Sequence, residues 1–262
     1  MKNNIGMVAG IVLLVGVAIG FYVMQESPEK QPVKSAKAPA APAAPVQAPK
    51  PQTVQEIAPV LPQLQDSDQA MREALTGLLD EETFNKYFRH GAIVRHIVAT
   101  VDNLPRKTAT IRLLPIKPIG GKLLARGDEE NLVISPKNAA RYTPYVRLAE
   151  MVDAKKLVAV YSRFSPLFQR AYQELGYPTG SFNDRLVTVI DHLLDAPEPK
   201  GPVKLVQPNV MFLYADPALE AQSAGRKMLM RMGLENEAKI KGKLKDIRRE
   251  LAEQFAKQLS GK

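Results

Sequence analysis

Residues 5–24 form an apolar run, IGMVAGIVLLVGVAIGFYVM, with no charge in it. About 20 apolar helical residues, each adding roughly 1.5 Å, are needed to span the hydrocarbon core of a bilayer. The run therefore reads as a transmembrane helix after a tail of residues 1–4. A cleavable signal peptide is the competing reading, with Ala18 and Gly20 as small residues near a cut. A signal core runs only about 7–15 residues, and Phe21 and Tyr22 suit a cleavage site poorly, so length favours the anchor. The chain has no Cys, which removes a lipoprotein anchor, disulfides, thiol catalysis and cysteine metal sites.

Gly6, Gly10, Gly16 and Gly20 fall within one sector of about 120° on such a helix. Small residues at this spacing let two helices approach and would support a homodimer, although glycine is common in membrane helices in any case. Lys2 precedes the run, while Lys30, Lys34 and Lys37 follow it. A plain count of bases would keep the longer flank in the cytoplasm. Lys2 lies closer to the membrane edge, and a short N-terminal tail that stays inside needs no translocation. The expected topology is a single-pass inner-membrane protein with its C-terminal domain in the periplasm.

Residues 25–63 are rich in Pro and Ala, with nothing large to bury and no period to follow. Repeated Pro favours an extended chain at about 3.1 Å per residue, so this linker could reach on the order of 100 Å. The remaining residues, 64–262, are enough for one well-buried domain. The chain carries a formal charge of +9. From Arg226 to Lys262 there are 11 basic and 5 acidic residues, so +6 of the +9 sits in this tail. Such a tail attracts nucleic acid or anionic lipid, or is simply a solvated helix face; nucleic acid is the less expected partner.

The domain reads as mainly α, a multi-helix unit with one or two small β-hairpins. A helix starts at Asp66–Ser67, a second covers residues 83–88, and a third covers 92–102 before Pro105. Residues 110–134 are less regular, with a hairpin expected around Gly127–Asp128. Asp153 can cap a long helix ending at Gly176, which Pro166 should kink or split. Ser181 and Asp184 open another helix as a capping box. A second hairpin turns at Pro208–Asn209. Asp216–Pro217 starts a helix expected to run to Gly233. The last helix shows a narrow stripe, Ile240, Leu244, Ile247, Leu251 and Phe255, which suits docking at an edge.

The run RYTPYVRLAEMVDAKKLVAVYSRFSPLFQRAYQELGYPTGSFNDRLVTVIDHLLDAPEP, followed by ADPALEAQSAGRKMLMRMG, resembles the bacterial domain of unknown function 3014 family. HIVATVDNLPR and SDQAMREALTGLL fit the same pattern, and the resemblance covers residues 64–251. It implies a single-anchor protein with a proline-rich spacer. It implies no chemistry, cofactor or catalytic residue.

Glycan hydrolysis needs two carboxyls at a set separation, one with a raised pKa. Glu174, Asp184 and Asp191 are the candidates, and Asp184 and Asp191 share a helix face. Each also has a plain reading, as a cap, a face residue or a helix end. His90 and His96 are six apart, and Asp191 and His192 are adjacent; neither is a metal-ligand spacing, so no metal and no cofactor is expected. No G-x-S-x-G elbow or Gly-rich phosphate loop is present. Tyr142, Tyr145, Arg147, Arg163, Tyr177, Asn183 and Arg185 cluster in the distinctive run. Tyr and Arg are the types that recognition surfaces favour, although tyrosines also complete cores. The expectation is a membrane-anchored envelope protein whose helical domain is a non-catalytic binding or scaffolding module for a protein or cell-wall partner. The alternatives are an envelope glycan hydrolase, and a cytoplasm-facing module that binds nucleic acid or anionic lipid through its basic last helix.

Overall fold

The computed structural model describes residues 61–109 and 111–260. Among them the chain is mainly helical, with nine α-helices and two small antiparallel hairpins, as expected. The apolar run, its glycines and the linker up to residue 60 lie outside the described residues. No helix among the described residues is long and apolar enough to cross a membrane.

Helix α1 (Ser67–Thr76) is followed by α2 (Glu81–Tyr87) and α3 (Ile93–Asn103). Asp80 caps α2 by accepting from the Thr83 N–H at 2.7 Å. Helix α3 borrows its cap: Asp68 of α1 accepts from the N–H groups of Ala92 and Ile93, at 2.6 and 2.8 Å. That contact satisfies orphan donors at the start of α3 and fixes its position on α1.

Strands β1 (Ala125–Arg126) and β2 (Val133–Ile134) form the first hairpin. Helix α4 (Lys137–Met151) follows, a helix that the periodicity did not signal. Pro144 interrupts its middle and its apolar face is broken. Its start is fixed by tertiary contacts: the buried Asn138 donates to the Leu124 carbonyl at 2.6 Å and accepts from the Leu124 N–H at 3.1 Å.

Helix α5 (Ala154–Glu174) is one continuous helix, so of the kink or split expected at Pro166 the split does not occur. Proline has no N–H, so the Ser162 carbonyl loses its helical donor. The Ser165 hydroxyl donates to that carbonyl at 2.9 Å and replaces the missing bond. The helix closes as foreseen at Gly176, which has φ 117°; Gly176 N–H reaches the Gln173 carbonyl and Tyr177 N–H the Tyr172 carbonyl.

Ser181 caps α6 (Phe182–Leu194) by accepting from the Asp184 N–H. Gln169 of α5 clamps the turn, donating to the Gly180 carbonyl at 2.7 Å and accepting from the Phe182 N–H at 2.8 Å. Strands β3 (Leu205–Val206) and β4 (Leu213–Tyr214) form the second hairpin. It joins the first through a bridge between Val133 and Lys204 and a bond from Leu205 N–H to the Leu132 carbonyl at 2.7 Å. Asp216–Pro217 does start a helix, but only α7 (Pro217–Glu220). Ser223 then takes extended backbone and caps a separate helix, α8 (Ala224–Arg231), so the expected run to Gly233 is two helices.

Helix α9 (Leu234–Ser260) corrects the edge-docking expectation. It packs on α4, α5, α6 and α8, and its Ile240, Leu244, Ile247 and Leu251 are almost wholly buried. Its buried face also includes Asn236, Glu237 and Lys241, and those polar members made the stripe look thin. The main core lies among α1, α3, α5, α6 and α9, while Leu123, Leu205, Tyr214 and Met230 form a second, smaller core at the hairpins.

Candidate functional site

A polar constellation lies where the C-terminal end of α3 meets α6 and the start of α8. Its centre is Asp102, only 2% exposed. A buried carboxylate is stable only when paired and hydrogen-bonded. Arg106 supplies one Nη2–H to Oδ2 at 2.5 Å, and the Tyr177 hydroxyl donates to the same oxygen at 3.1 Å. Arg185 reaches the Asp102 carbonyl at 2.7 Å, and its Nη2 lies 3.0 Å from Oδ1 as an ion pair without hydrogen-bond alignment. Arg106 also donates to the Tyr177 oxygen at 3.1 Å. Its bond to Asp102 holds the Arg106 pKa above the ordinary arginine value.

Tyr177 is fixed from its other side by stacking on Tyr172, with ring centroids 4.4 Å apart. Gly180 makes room for that pair: a Cβ there would sit 3.0 Å from Tyr172 Cε1 and 3.2 Å from Tyr177 Cβ. The result is a preorganised rim of two guanidiniums and a phenol around one buried carboxylate. Arg106 keeps 54% of its side chain exposed and Arg185 keeps 26%, so the rim faces outward.

Tyr177 and Arg185 are therefore brought together; the other sequence candidates are not. Tyr142 is buried, and burial raises its pKa against the pull of Arg231 and Arg141. Tyr145 packs edge-on against Tyr87 and donates to the Lys117 carbonyl at 3.3 Å. Asn183 accepts from the Tyr161 hydroxyl, which completes a core contact. Arg163 and Arg147 are exposed on α5 and α4. Asp102, Arg106 and Tyr172 escaped sequence reading, because residues 71 to 83 positions apart carry no joint periodic signal. HIVATVDNLPR itself held the clue: an Asp on the apolar side of a helix requires a cationic partner.

The three carboxylates share no partner. Glu174 pairs with Arg95 at 2.9 Å and with Arg170, and the Arg95 hydrogen bond lowers its pKa, the opposite of what a general acid needs. Asp191 pairs with Arg248 of α9 at 3.1 Å. Asp184 is exposed within the capping box at the start of α6.

The fold also makes a serine–histidine contact that sequence spacing could not show. His192 Nε2 lies 2.8 Å from Ser223 Oγ. Burial lowers the His192 pKa, and Arg226 adds to that. Nucleophilic serine catalysis further needs free donors for an oxyanion. Here the first N–H groups of α8 are used: Ala224 donates to the Arg106 carbonyl at 2.8 Å and Gly225 to the Leu104 carbonyl at 3.0 Å. Ser223 itself accepts from the Arg226 N–H as a helix cap. The pair serves to dock α8.

Two cations of α9, Lys241 and Lys243, are spent inside the fold. Lys243 donates to the Val152 carbonyl at 2.6 Å, just past the C-terminal end of α4. Lys241 donates to the Ala196 carbonyl at 2.6 Å, past the end of α6, and pairs with Glu198 and the buried Glu237. Cations at helix C-termini complement the helix dipole and satisfy the orphan carbonyls. Arg248 and Arg249 are also ion-paired. Among the described residues no group of three or more His, Asp or Glu is placed to hold a metal ion.

A family model described as "Protein of unknown function (DUF3014)" matches residues 93–248. No curated protein and no solved structure matches the chain.

Proposed function

The chain belongs to this family of proteins of unknown function, and we propose that it is a membrane-anchored envelope protein whose helical domain is a non-catalytic binding or scaffolding module. The Arg106–Tyr177–Arg185 rim is the observation that carries this reading. Asp102 fixes two arginines and a tyrosine before any partner arrives, which lowers the ordering cost of association. Arg and Tyr are also the types that most often anchor protein interfaces. The partner is a protein or a cell-wall component. Residues 5–24 supply the anchor and the proline-rich linker gives the domain reach. The periplasmic position rests on Lys2 lying close to the membrane edge and on a short N-terminal tail that needs no translocation, against a plain count of the flanking bases. Neither the hydrolase nor the basic-helix reading gains from the site geometry, since Glu174 and Asp191 are ion-paired, Asp184 stands exposed apart from them, and Lys241 and Lys243 of α9 are turned onto helix-end carbonyls.

The test is site-specific photo-cross-linking of the full-length protein in its own membrane. A cross-linker at position 106 or 177 should capture a discrete partner, and one at the exposed position 140 should not. Tyr177→Ala should lose function in a complementation assay, while Asp184→Asn with Asp191→Asn should retain it. The reverse pattern would replace the binding reading with the hydrolase. A reporter fused after Lys262 that is active only in the cytoplasm would refute the periplasmic placement.

A further inference from the structure

The Asp102 rim carries a charge imbalance that narrows what a partner can present to it. Arg106 and Arg185 converge on one carboxylate: Arg106 Nη2 lies 2.5 Å from Oδ2 and Arg185 Nη2 lies 3.0 Å from Oδ1. Among the described residues neither arginine has a second carboxylate within ion-pair reach, so one positive charge is left over. Asp102 faces both cations from inside the fold, while Arg106 keeps more than half of its side chain in water. The adjoining Lys107 is exposed and of the same sign. Arg106 is also held in place. Its backbone N–H donates to the Asn103 carbonyl at 3.0 Å, and its carbonyl accepts from the Ala224 N–H at 2.8 Å. Of its side-chain donors only Nη2 is engaged, by Asp102 and by the Tyr177 oxygen. The N–H groups on Nη1 and Nε take no bond among the described residues.

A fixed guanidinium with open donors is a receiver for an oxyanion. The surplus charge decides which one. A carboxylate brings one negative charge and cancels the surplus. A phosphate monoester brings about −1.5 to −2 and would leave negative charge uncompensated beside the buried Asp102, where it is costly. We propose that the partner is a protein that meets the rim with a carboxylate of an acidic surface segment, seated on the open donors of Arg106. Arg185 and Lys107 add attraction at longer range, which speeds encounter more than it tightens the complex. A protein is the better fit than a cell-wall carboxylate because Arg and Tyr are the anchors that protein interfaces favour. The inference rests on the reading of the rim as a binding surface and adds the charge and kind of its partner.

The test uses the full-length protein in its own membrane with p-azidophenylalanine at position 177. Capture of a discrete protein should fall about tenfold or more in Arg106→Gln and stay within about threefold in Arg106→Lys, which keeps the charge. Lys107→Glu changes an exposed position, so the fold should survive, and capture should fall by about threefold or more. The cross-linked peptide of the partner, read by mass spectrometry, should contain an Asp or Glu. Changing that residue to its amide should lower capture as much as Arg106→Gln does, and the two changes together should cost no more than either alone. Capture that ignores both Arg106→Gln and Lys107→Glu, or a cross-linked peptide without a carboxylate side chain, would overturn this inference and leave the binding reading standing. A product that carries glycan in place of protein would overturn the protein assignment. No capture with both wild-type Arg106 and Lys107 in place would remove the binding reading, and this inference with it.

Discussion

The helical bundle and the hairpin end are held together by different physics. In the bundle, Phe84, Phe88, Phe164 and Phe182 are each at most 1% exposed, and the rings of Tyr161, Phe168, Tyr172 and Phe182 touch in series. At the hairpins the strands are two residues long and only four buried residues form the core. What fixes that end is directional. Asn138 exchanges hydrogen bonds with Leu124, the Tyr214 hydroxyl donates to the Lys227 carbonyl at 2.9 Å, and Lys227 is paired with Glu220. Apolar burial gives stability without direction, whereas hydrogen bonds between buried groups set position and add little net energy.

Deletion in the bundle should have the largest effect. Phe164 is fully buried, and Phe164→Ala should cost about 3–5 kcal/mol, as transfer energy and cavity terms add. The shift should appear as one cooperative change in the urea midpoint across the described domain. If the hairpins and bundle unfolded in separate steps, the mutation would move only the bundle step, and the comparison would sharpen into two independent units.

Next in size is a place where the bundle relies on charge. Asp102→Asn keeps the shape of the side chain but leaves Arg106 and Arg185 facing a neutral amide. Removing one partner of a fully buried pair costs about 3–5 kcal/mol. Both arginines retain solvent, so about 2–3 kcal/mol is expected here. A loss below about 0.5 kcal/mol in denaturant titration would mean that the cluster is held by packing alone.

The same contrast explains what the sequence made legible. Helices α3, α5, α6 and most of α9 announce themselves because one face is apolar at helical spacing and Asp153, Ser181 and Gly176 mark the ends. Helix α4 does not, because Pro144 and a broken apolar face hide it, and its start is set by Asn138 reaching Leu124. The break between α7 and α8 hangs on one capping serine inside a continuous-looking run. The continuity of α5 hangs on a hydroxyl beside a proline. Of the binding candidates, Tyr177 and Arg185 meet at Asp102, and Tyr142 is buried. Periodicity reports burial along one element; it is silent about polar contacts between elements.

Leu205→Ala should show that the hairpin end yields locally. The residue is 4% exposed in a thin core that can collapse around a deletion, so a cost near the low end of the usual range, about 2 kcal/mol, is expected. Amide exchange should accelerate at Val133, Leu205 and Tyr214, with α5 amides unchanged. Equal acceleration in α5 would break the comparison, because the hairpin end would then open only when the bundle does.

The smallest expected effect is a pH dependence at the seam between α6 and α8. His192 has its pKa lowered from 6.5 chiefly by burial, then by Arg226 and Arg185, against Asp195. His96, in α3, is lowered in the same direction by burial and Arg89. The unfolded chain therefore takes up protons at these residues before the folded chain does. Stability should fall as pH drops through about 6.5 and level off below the folded values. His192→Gln should flatten part of that decline and leave the part that belongs to His96. Denaturation midpoints compared between about pH 7.5 and 5.5 test this, a window above the range where most carboxylates titrate. An unchanged slope in His192→Gln would assign the whole dependence to His96, and the contact with Ser223 would then be indifferent to the charge of the imidazole.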